Sequence, residues 1–175
     1  MKFSVSSYIE QHNQVMKSLD VPEIERAVEL IREKSLAEKK VAVCGNGGSA
    51  GNAIHLANDF IYGIDKKNGV GLKVEALTSN ASILTCLAND EGYETIFSQQ
   101  LKVKANRDDV LIVLSGSGNS QNVVRALEVG NKIGMKTFAI TGFFPSTISS
   151  ISLEHKLNNF LYFDFFFKER ISFKS

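Results

Sequence analysis

The sequence predicts an α/β fold, a three-layer sandwich in which helices cover both faces of a parallel sheet. Short apolar runs alternate with segments of helical periodicity over residues 1–142. The runs are almost continuously apolar, as expected for strands that are buried on both faces. Two of them are followed directly by loops rich in glycine and polar residues. Ligands of parallel sheets bind at this carboxyl edge, so the same pattern predicts the position of the site.

The predicted elements follow one another with short connections. The first forty residues predict two helices, one over about 6–18 and one that begins near Asp20 with Pro22 in its first turn. Residues 63–71 form a polar connection. The remaining predicted elements are strands at 40–44, 72–77, 110–114 and 136–141, and helices at 49–62, 81–88, 93–104 and 121–133.

Composition excludes several classes of protein. The 175 residues suffice for one domain with a real core, and 43% apolar with 22% charged residues is ordinary globular composition. A net charge of +1 gives no reason to expect nucleic acid as a partner. Because we find neither a signal-peptide pattern nor an apolar run of 18 residues, we expect a cytoplasmic protein without a membrane partner. Cys44 and Cys86 lie in apolar runs without CxxC spacing, which favours buried, reduced thiols over a disulfide.

Two loops are the strongest functional signal. Loop 1 (residues 45–49, GNGGS) and loop 2 (residues 115–120, SGSGNS) each lie between a predicted strand and a predicted helix. Backbone N–H groups and a helix N-terminus converge on an anion in this arrangement. Neither loop contains Lys or Arg, which favours a small phosphorylated metabolite over a polyphosphate with magnesium. The alternative for loop 2 is a solvent-exposed polar turn.

A dinucleotide-binding enzyme is a competing interpretation of loop 1. Gly45, Gly47 and Ala50 match the spacing GxGxxG/A. That fingerprint requires an acidic residue about 20 positions further on, at the end of the next strand. Glu75 lies about 30 positions on and inside the predicted strand, and the interpretation leaves loop 2 unexplained.

His55 and Asp59 are the candidate acid–base pair. Their i,i+4 spacing on the predicted helix after loop 1 puts both side chains on one face. Such a pair transfers protons or binds a metal, and the alternative is a surface His–Asp contact. Arg125 and Lys132 are interpreted as solvated helix positions.

The chain changes character after Gly142. Eight of the twelve Phe residues lie between residues 143 and 173, and no helical or strand periodicity persists there. We therefore divide the chain into a domain at 1–142 and an atypical tail at 143–175. The tail is interpreted as a frameshifted or alternative end of the reading frame, and an aromatic membrane or partner anchor is the alternative.

The motifs together resemble the phosphoheptose isomerases of the sugar isomerase (SIS) domain family. The resemblance covers about residues 1–142. It rests on the segments 44–50, 53–55, 88–93, 97–98, 109–112, 115–123 and 134–135, whose order and spacing are those of that family.

The resemblance implies a fold, an activity and a set of site residues. The fold is a flavodoxin-like, five-stranded parallel sheet (the SIS fold) preceded by N-terminal helices, assembled as a homotetramer or dimer with active sites at subunit interfaces. The activity is conversion of sedoheptulose 7-phosphate to D-glycero-D-manno-heptose 7-phosphate for lipopolysaccharide or capsule. Asp59 and His55 correspond to catalytic residues. The positions that correspond to substrate-binding residues are Asn46, Gly47, Ser49, Asn89, Asp90, Ser115, Ser117 and Ser120.

Two departures from the family pattern bear on activity. Asp59 stands where the family generally has Glu, which sets its carboxylate about 1.5 Å further back and weakens proton transfer. The tail lacks the family's C-terminal helix with Gln and His; His155 is the sole C-terminal histidine and its surroundings do not match. We therefore expect the last strand and helix to be missing or altered, and activity to be impaired.

The same departures limit the metal site and keep a second function open. The resemblance implies at most a zinc ion at His55 and Asp59, whose other ligands have no counterpart here, and no nucleotide cofactor. The alternative function is a non-catalytic SIS module that binds phosphosugars or another protein.

Overall fold

A computed structural model describes residues 4–63, 67, 71–142, 147 and 148, together with the backbone of residues 161–164. The helices are α1 (Val5–Lys17), α2 (Val21–Leu36), α3 (Gly48–Asn58), α4 (Ala81–Asp90), α5 (Ser98–Lys104) and α6 (Gln121–Ile133). The strands are β1 (Lys40–Gly45), β2 (Lys73–Ala76), β3 (Val110–Ser115), β4 (Lys136–Thr141) and β5 (Leu161–Asp164). A π-helical turn over Asp59–Gly63 extends α3, and a 3-10 turn over Tyr93–Thr95 precedes α5.

The five strands form one parallel sheet in the order β2-β1-β3-β4-β5, which confirms the predicted α/β class. Strand β3 lies at the centre and all six of its residues are buried. The chain moves outward from β1 to β2 and then returns to the other side of β1 to form β3. The loops that follow β1 and β3 therefore leave neighbouring strands at the switch point of the sheet, where ligands of such folds bind.

Helices pack a separate core on each face of the sheet. Val41 and Val43 of β1 belong to a buried cluster with residues of α2 and α3. Cys44 belongs to the opposite cluster, which contains residues of α5 and α6. Alternate residues of a strand point to opposite faces, so one apolar run supplies both cores. This explains why β1 and β3 contain runs of consecutive apolar residues, at 41–44 and 110–114.

The structure contains a fifth strand that we expected to be missing. Strand β5 pairs in parallel with β4, from Phe138 opposite Leu161 to Thr141 opposite Asp164. Of the two expectations for the last strand, missing or altered, the first is therefore wrong, and the sheet has the five parallel strands that the resemblance implies. Its apolar and aromatic residues favour a strand, but a four-residue segment is too short to show periodicity. The expected loss of the last helix, His155 and the reading-frame hypothesis lie outside the described residues.

The two thiols lie in different environments. Cys44 is buried as predicted, and burial raises the pKa of its thiol. The prediction of burial is wrong for Cys86, which is exposed on α4. Its thiol donates to Asp90 Oδ2 over 3.5 Å, and this hydrogen bond and the carboxylate charge raise the pKa of the Cys86 thiol. Across the described ranges, no helix has both the length and the apolar character needed to cross a bilayer.

Candidate active site

Loop 1 turns sharply from β1 into α3, and glycines make this turn possible. A Cβ at Gly45 would lie 2.7 Å from both Leu114 O and Ser49 Cβ, so only glycine fits between β3 and α3. Gly47 has φ +54°, a conformation that favours glycine. The N–H of Ser49, in the first turn of α3, donates to Asn46 O over 3.0 Å. The backbone of loop 1 is therefore held close to the carboxyl edge of the sheet.

Loop 2 is shaped by its own serine side chains. Ser115 Oγ accepts from Gly118 N over 3.1 Å, and Ser117 Oγ accepts from Asn119 N over 3.2 Å. Gly118 has φ +64°. Ser115 is buried, whereas Ser117 is exposed and Ser120 is half-buried. Because the two serine oxygens accept backbone N–H groups, their hydroxyl hydrogens remain to be donated to an anion.

The chain after β4 holds loop 2 in place. Asn119 Oδ1 accepts from Thr147 N over 2.7 Å and from Thr147 Oγ1 over 2.9 Å. Ile148 N donates to Gly118 O over 3.1 Å, and the Ile148 side chain is fully buried. The first part of the atypical tail, at Thr147 and Ile148, therefore contributes to the shape of loop 2.

The helices that begin at the two loops, α3 and α6, differ at their starts from the other long helices of the described ranges. Side chains of Ser4, Asp20 and Asn80 accept backbone N–H groups at the starts of α1, α2 and α4. No side chain in the described ranges does so for α3 or α6, or for the seven-residue α5. Ser49 N already donates to Asn46 O and Val123 N to Ser120 O, so it is the remaining first-turn N–H groups of α3 and α6 that can serve an anion bound between the loops.

A cleft of about 510 Å³ joins the two loops. Asn46 of loop 1 and Asn122 of α6 exchange two hydrogen bonds, with Asn46 Nδ2 donating over 2.8 Å and Asn122 Nδ2 donating over 2.9 Å. The Tyr93 hydroxyl donates to Asn46 Oδ1 over 3.1 Å. The residues that line the cleft are Asn46, Tyr93, Glu94, Ser120, Gln121, Asn122 and Arg125. Two of the predicted substrate-binding residues, Asn46 and Ser120, thus share one cleft.

Sequence reasoning gave no role to Tyr93, Asn122 or Arg125. Tyr93 and Asn122 belong to the motifs that carry the resemblance, which was the only signal for them. Arg125 was interpreted as a solvated position, and it is half-exposed, but it lines the cleft and pairs with Glu94 at 3.5 Å. Only the folded chain brings the 3-10 turn after α4 against α6.

His55 and Asp59 are adjacent, as predicted, with Nε2 and Oδ2 3.3 Å apart. Their side chains are 76% and 49% exposed, on the outer side of α3. Neither lines the cleft. The predicted substrate residues Asn89 and Asp90 also lie outside it: they are exposed at the end of α4, and Asn89 Nδ2 donates to Asp90 Oδ1 over 2.7 Å.

His55 and Asp59 supply two donors that suit zinc, an imidazole and a carboxylate. A zinc site requires at least three protein ligands, and within the described residues no group of three metal-binding side chains occurs. One chain therefore does not make a zinc site from the residues that the structure describes. The zinc hypothesis remains a prediction.

Comparisons with known proteins identify the family. The profile of the SIS domain matches residues 7–142. A phosphoheptose isomerase of Geotalea daltonii is 40% identical over 150 residues, which cover 84% of this chain and 78% of that protein. The chain belongs to the phosphoheptose isomerases of the SIS-domain family. A phosphoheptose isomerase of Akkermansia muciniphila is 42% identical over 120 residues, covering 69% of this chain and 63% of that relative.

Solved structures support the same membership. The phosphoheptose isomerase GmhA of Neisseria gonorrhoeae superposes with a TM-score of 0.82 at 30% identity, covering 95% of this chain and 83% of that one. A phosphoheptose isomerase of Francisella tularensis gives a TM-score of 0.75 at 29% identity, over 83% of this chain and 74% of that one. The fold of this SIS domain is therefore the same as that of the phosphoheptose isomerases whose sequence motifs it shares.

Proposed function

We propose that this chain is an aldose–ketose isomerase that converts sedoheptulose 7-phosphate to D-glycero-D-manno-heptose 7-phosphate. The observation that carries the proposal is the cleft in which loop 1 and loop 2 meet through Asn46 and Asn122, in a chain that belongs to the phosphoheptose isomerases. The product supplies heptose for surface polysaccharide, lipopolysaccharide or capsule, and the reaction takes place in the cytoplasm.

The loops hold the phosphate without a fixed positive charge of their own. Hydroxyls of Ser117 and Ser120 and the N–H groups at the starts of α3 and α6 donate to its oxygens. Ser115, which is buried and accepts from Gly118 N, keeps loop 2 in the shape that presents them. Gly47 and Ser49 provide the matching turn on the side of loop 1.

Proton transfer between C1 and C2 of the open-chain sugar is the chemical step. Two protons change places: Asp59 removes the proton from C1 of the ketose while O2 takes up a proton, which gives the enediol. Asp59 then returns its proton to C2 while O1 loses its hydroxyl proton, which forms the aldose. His55, whose Nε2 lies 3.3 Å from the carboxylate, is the second catalytic residue and assists the transfer of the hydroxyl proton from O1 to O2. No step is assigned to zinc, because the described residues supply only two ligands.

A second copy of the chain completes the site in this proposal. The His55–Asp59 pair is exposed on α3 and lies outside the cleft of its own chain, so it acts on sugar bound by a neighbouring subunit. Helix α1 supports an assembly: it has no buried residue, and Val5, Ile9 and Met16 on it are exposed. Covering such apolar side chains favours association, in keeping with the homotetramer or dimer that the resemblance implies.

The test is conversion of sedoheptulose 7-phosphate by the full chain, followed by separation of the two sugar phosphates. We expect measurable product, together with a rise in melting temperature with the sugar phosphate and none with NAD. Absence of both binding and conversion would show that the proposal is wrong. Binding without conversion would favour a phosphosugar-binding module, a function to which the exposed position of His55 and Asp59 lends support.

A further inference from the structure

The cleft contains a hydrogen-bond network whose members come from three separate segments. Asn46 follows β1, Tyr93 lies in the 3-10 turn after α4, and Asn122 lies in the first turn of α6. Asn122 is 2% exposed, whereas Tyr93 is 59% exposed. The network therefore runs from the buried base of the cleft to its open wall.

Most hydrogen-bonding groups of the Asn46 side chain are used within this network. Asn46 Oδ1 accepts from both Asn122 Nδ2 and Tyr93 Oη, which uses both of its lone pairs. Asn46 Nδ2 donates one of its two N–H groups to Asn122 Oδ1. The Asn46 side chain can therefore offer a bound molecule only one group, its second N–H.

We propose that Tyr93 and Asn122 are positioning residues that fix the Asn46 carboxamide so that its second N–H serves the sugar part of the ligand. This rests on the proposed function. The terminal torsion of an asparagine is soft, so an unrestrained carboxamide would present either its oxygen or its nitrogen to the cleft. Turning the Asn46 carboxamide over would break both reciprocal bonds to Asn122 and would require the Tyr93 hydroxyl to change from donor to acceptor, so the network restrains that freedom. This N–H donates to the sugar, because the phosphate is bound by the serine hydroxyls of loop 2 in the proposed function.

The position of Tyr93 indicates that the pair of Asn46 and Asn122 does more than join the two loops. The reciprocal bonds between Asn46 and Asn122 already join the two loops. A mostly exposed tyrosine adds little buried area there, but its hydroxyl bonds to Asn46 Oδ1 and so restrains the carboxamide against rotation. Glu94 and Arg125 line the same cleft, but they form an ion pair with each other at 3.5 Å. Tyr93, in contrast, bonds to Asn46.

Steady-state kinetics of the full chain with sedoheptulose 7-phosphate, plus inhibition by inorganic phosphate, test the proposal. Tyr93→Phe keeps the ring and removes the donor, so KM should rise about 3–10-fold with kcat nearly unchanged. The inhibition constant of phosphate should stay at its wild-type value. Asn122→Asp should raise KM further, because an ionised carboxylate has no donor for Asn46 Oδ1. Calorimetric titration with the sugar phosphate gives the same comparison without turnover.

The matched control is Asn131→Asp on the same helix. Asn131 Oδ1 accepts from Thr137 Oγ1 over 2.8 Å, a bond that a carboxylate also accepts, and KM should not change. An unchanged KM in Tyr93→Phe would overturn the positioning role, as would a parallel rise of KM and the phosphate constant. A wild-type chain that neither binds nor converts the sugar phosphate would overturn the proposed function, and this role with it.

Discussion

Loop 2 and the outer face of α3 carry the two halves of the proposed chemistry, and they differ in how completely one chain builds them. Loop 2 is bounded by the buried strand β3 and bonded to Thr147 and Ile148. The pair His55 and Asp59 is joined at 3.3 Å but is exposed. A single chain therefore fixes the groups that are proposed to bind phosphate, whereas it leaves the proposed acid–base pair on the surface. Binding and turnover should respond separately to substitution.

The largest expected effect is the loss of turnover in Asp59→Asn. A carboxamide cannot accept the proton, so kcat for sedoheptulose 7-phosphate should fall by about 10²–10⁴. Binding of the sugar phosphate, measured by calorimetry, should not change. Glu128→Gln, the same chemical change at an exposed position on α6, is the control and should keep full activity. An active Asp59→Asn variant would remove Asp59 from the mechanism.

Ser120→Ala tests the proposed phosphate binding by loop 2, and it should mainly weaken the binding of phosphate. The hydroxyl at the start of α6 is proposed to donate to a charged phosphate, a hydrogen bond worth about 1.5–3 kcal/mol, so Kd should rise roughly 10–150-fold. Titration with inorganic phosphate measures this without the sugar. Ser82→Ala, in the exposed first turn of α4, should bind phosphate like the wild type. Equal affinities for all three proteins would contradict the role of loop 2.

A pair of glycine substitutions tests how tightly loop 1 is packed. Gly45→Ala places a Cβ 2.7 Å from Leu114 O, so we expect about 1–3 kcal/mol lower stability in urea unfolding. Gly51→Ala, in open space on α3, should instead raise stability by about 0.5–1 kcal/mol. If both variants changed stability in the same direction, the close approach of loop 1 to β3 would not hold.

Much of the fold could be predicted because its signals are local. Strands β1 and β3 contain the apolar runs 41–44 and 110–114, and the glycine loops mark where each run ends. Strand β5 was missed because four residues carry no detectable period and its stability depends on pairing with β4. Burial of Cys86 was also predicted wrongly. An apolar run does not say which side of α4 faces the sheet, and this side chain faces outward.

In the candidate site, too, some features could be predicted from the sequence and others depended on the fold. Loop 1, loop 2 and the spacing of His55 and Asp59 are properties of short segments, so the sequence by itself determined the two strand-to-helix loops proposed to bind phosphate and the adjacency of His55 and Asp59. Only the tertiary structure decided that Asn46, Tyr93 and Asn122 form one network, and that His55 and Asp59 lie outside it. The physical reason is that contacts between distant segments depend on how the sheet orders its strands and how helices pack on it.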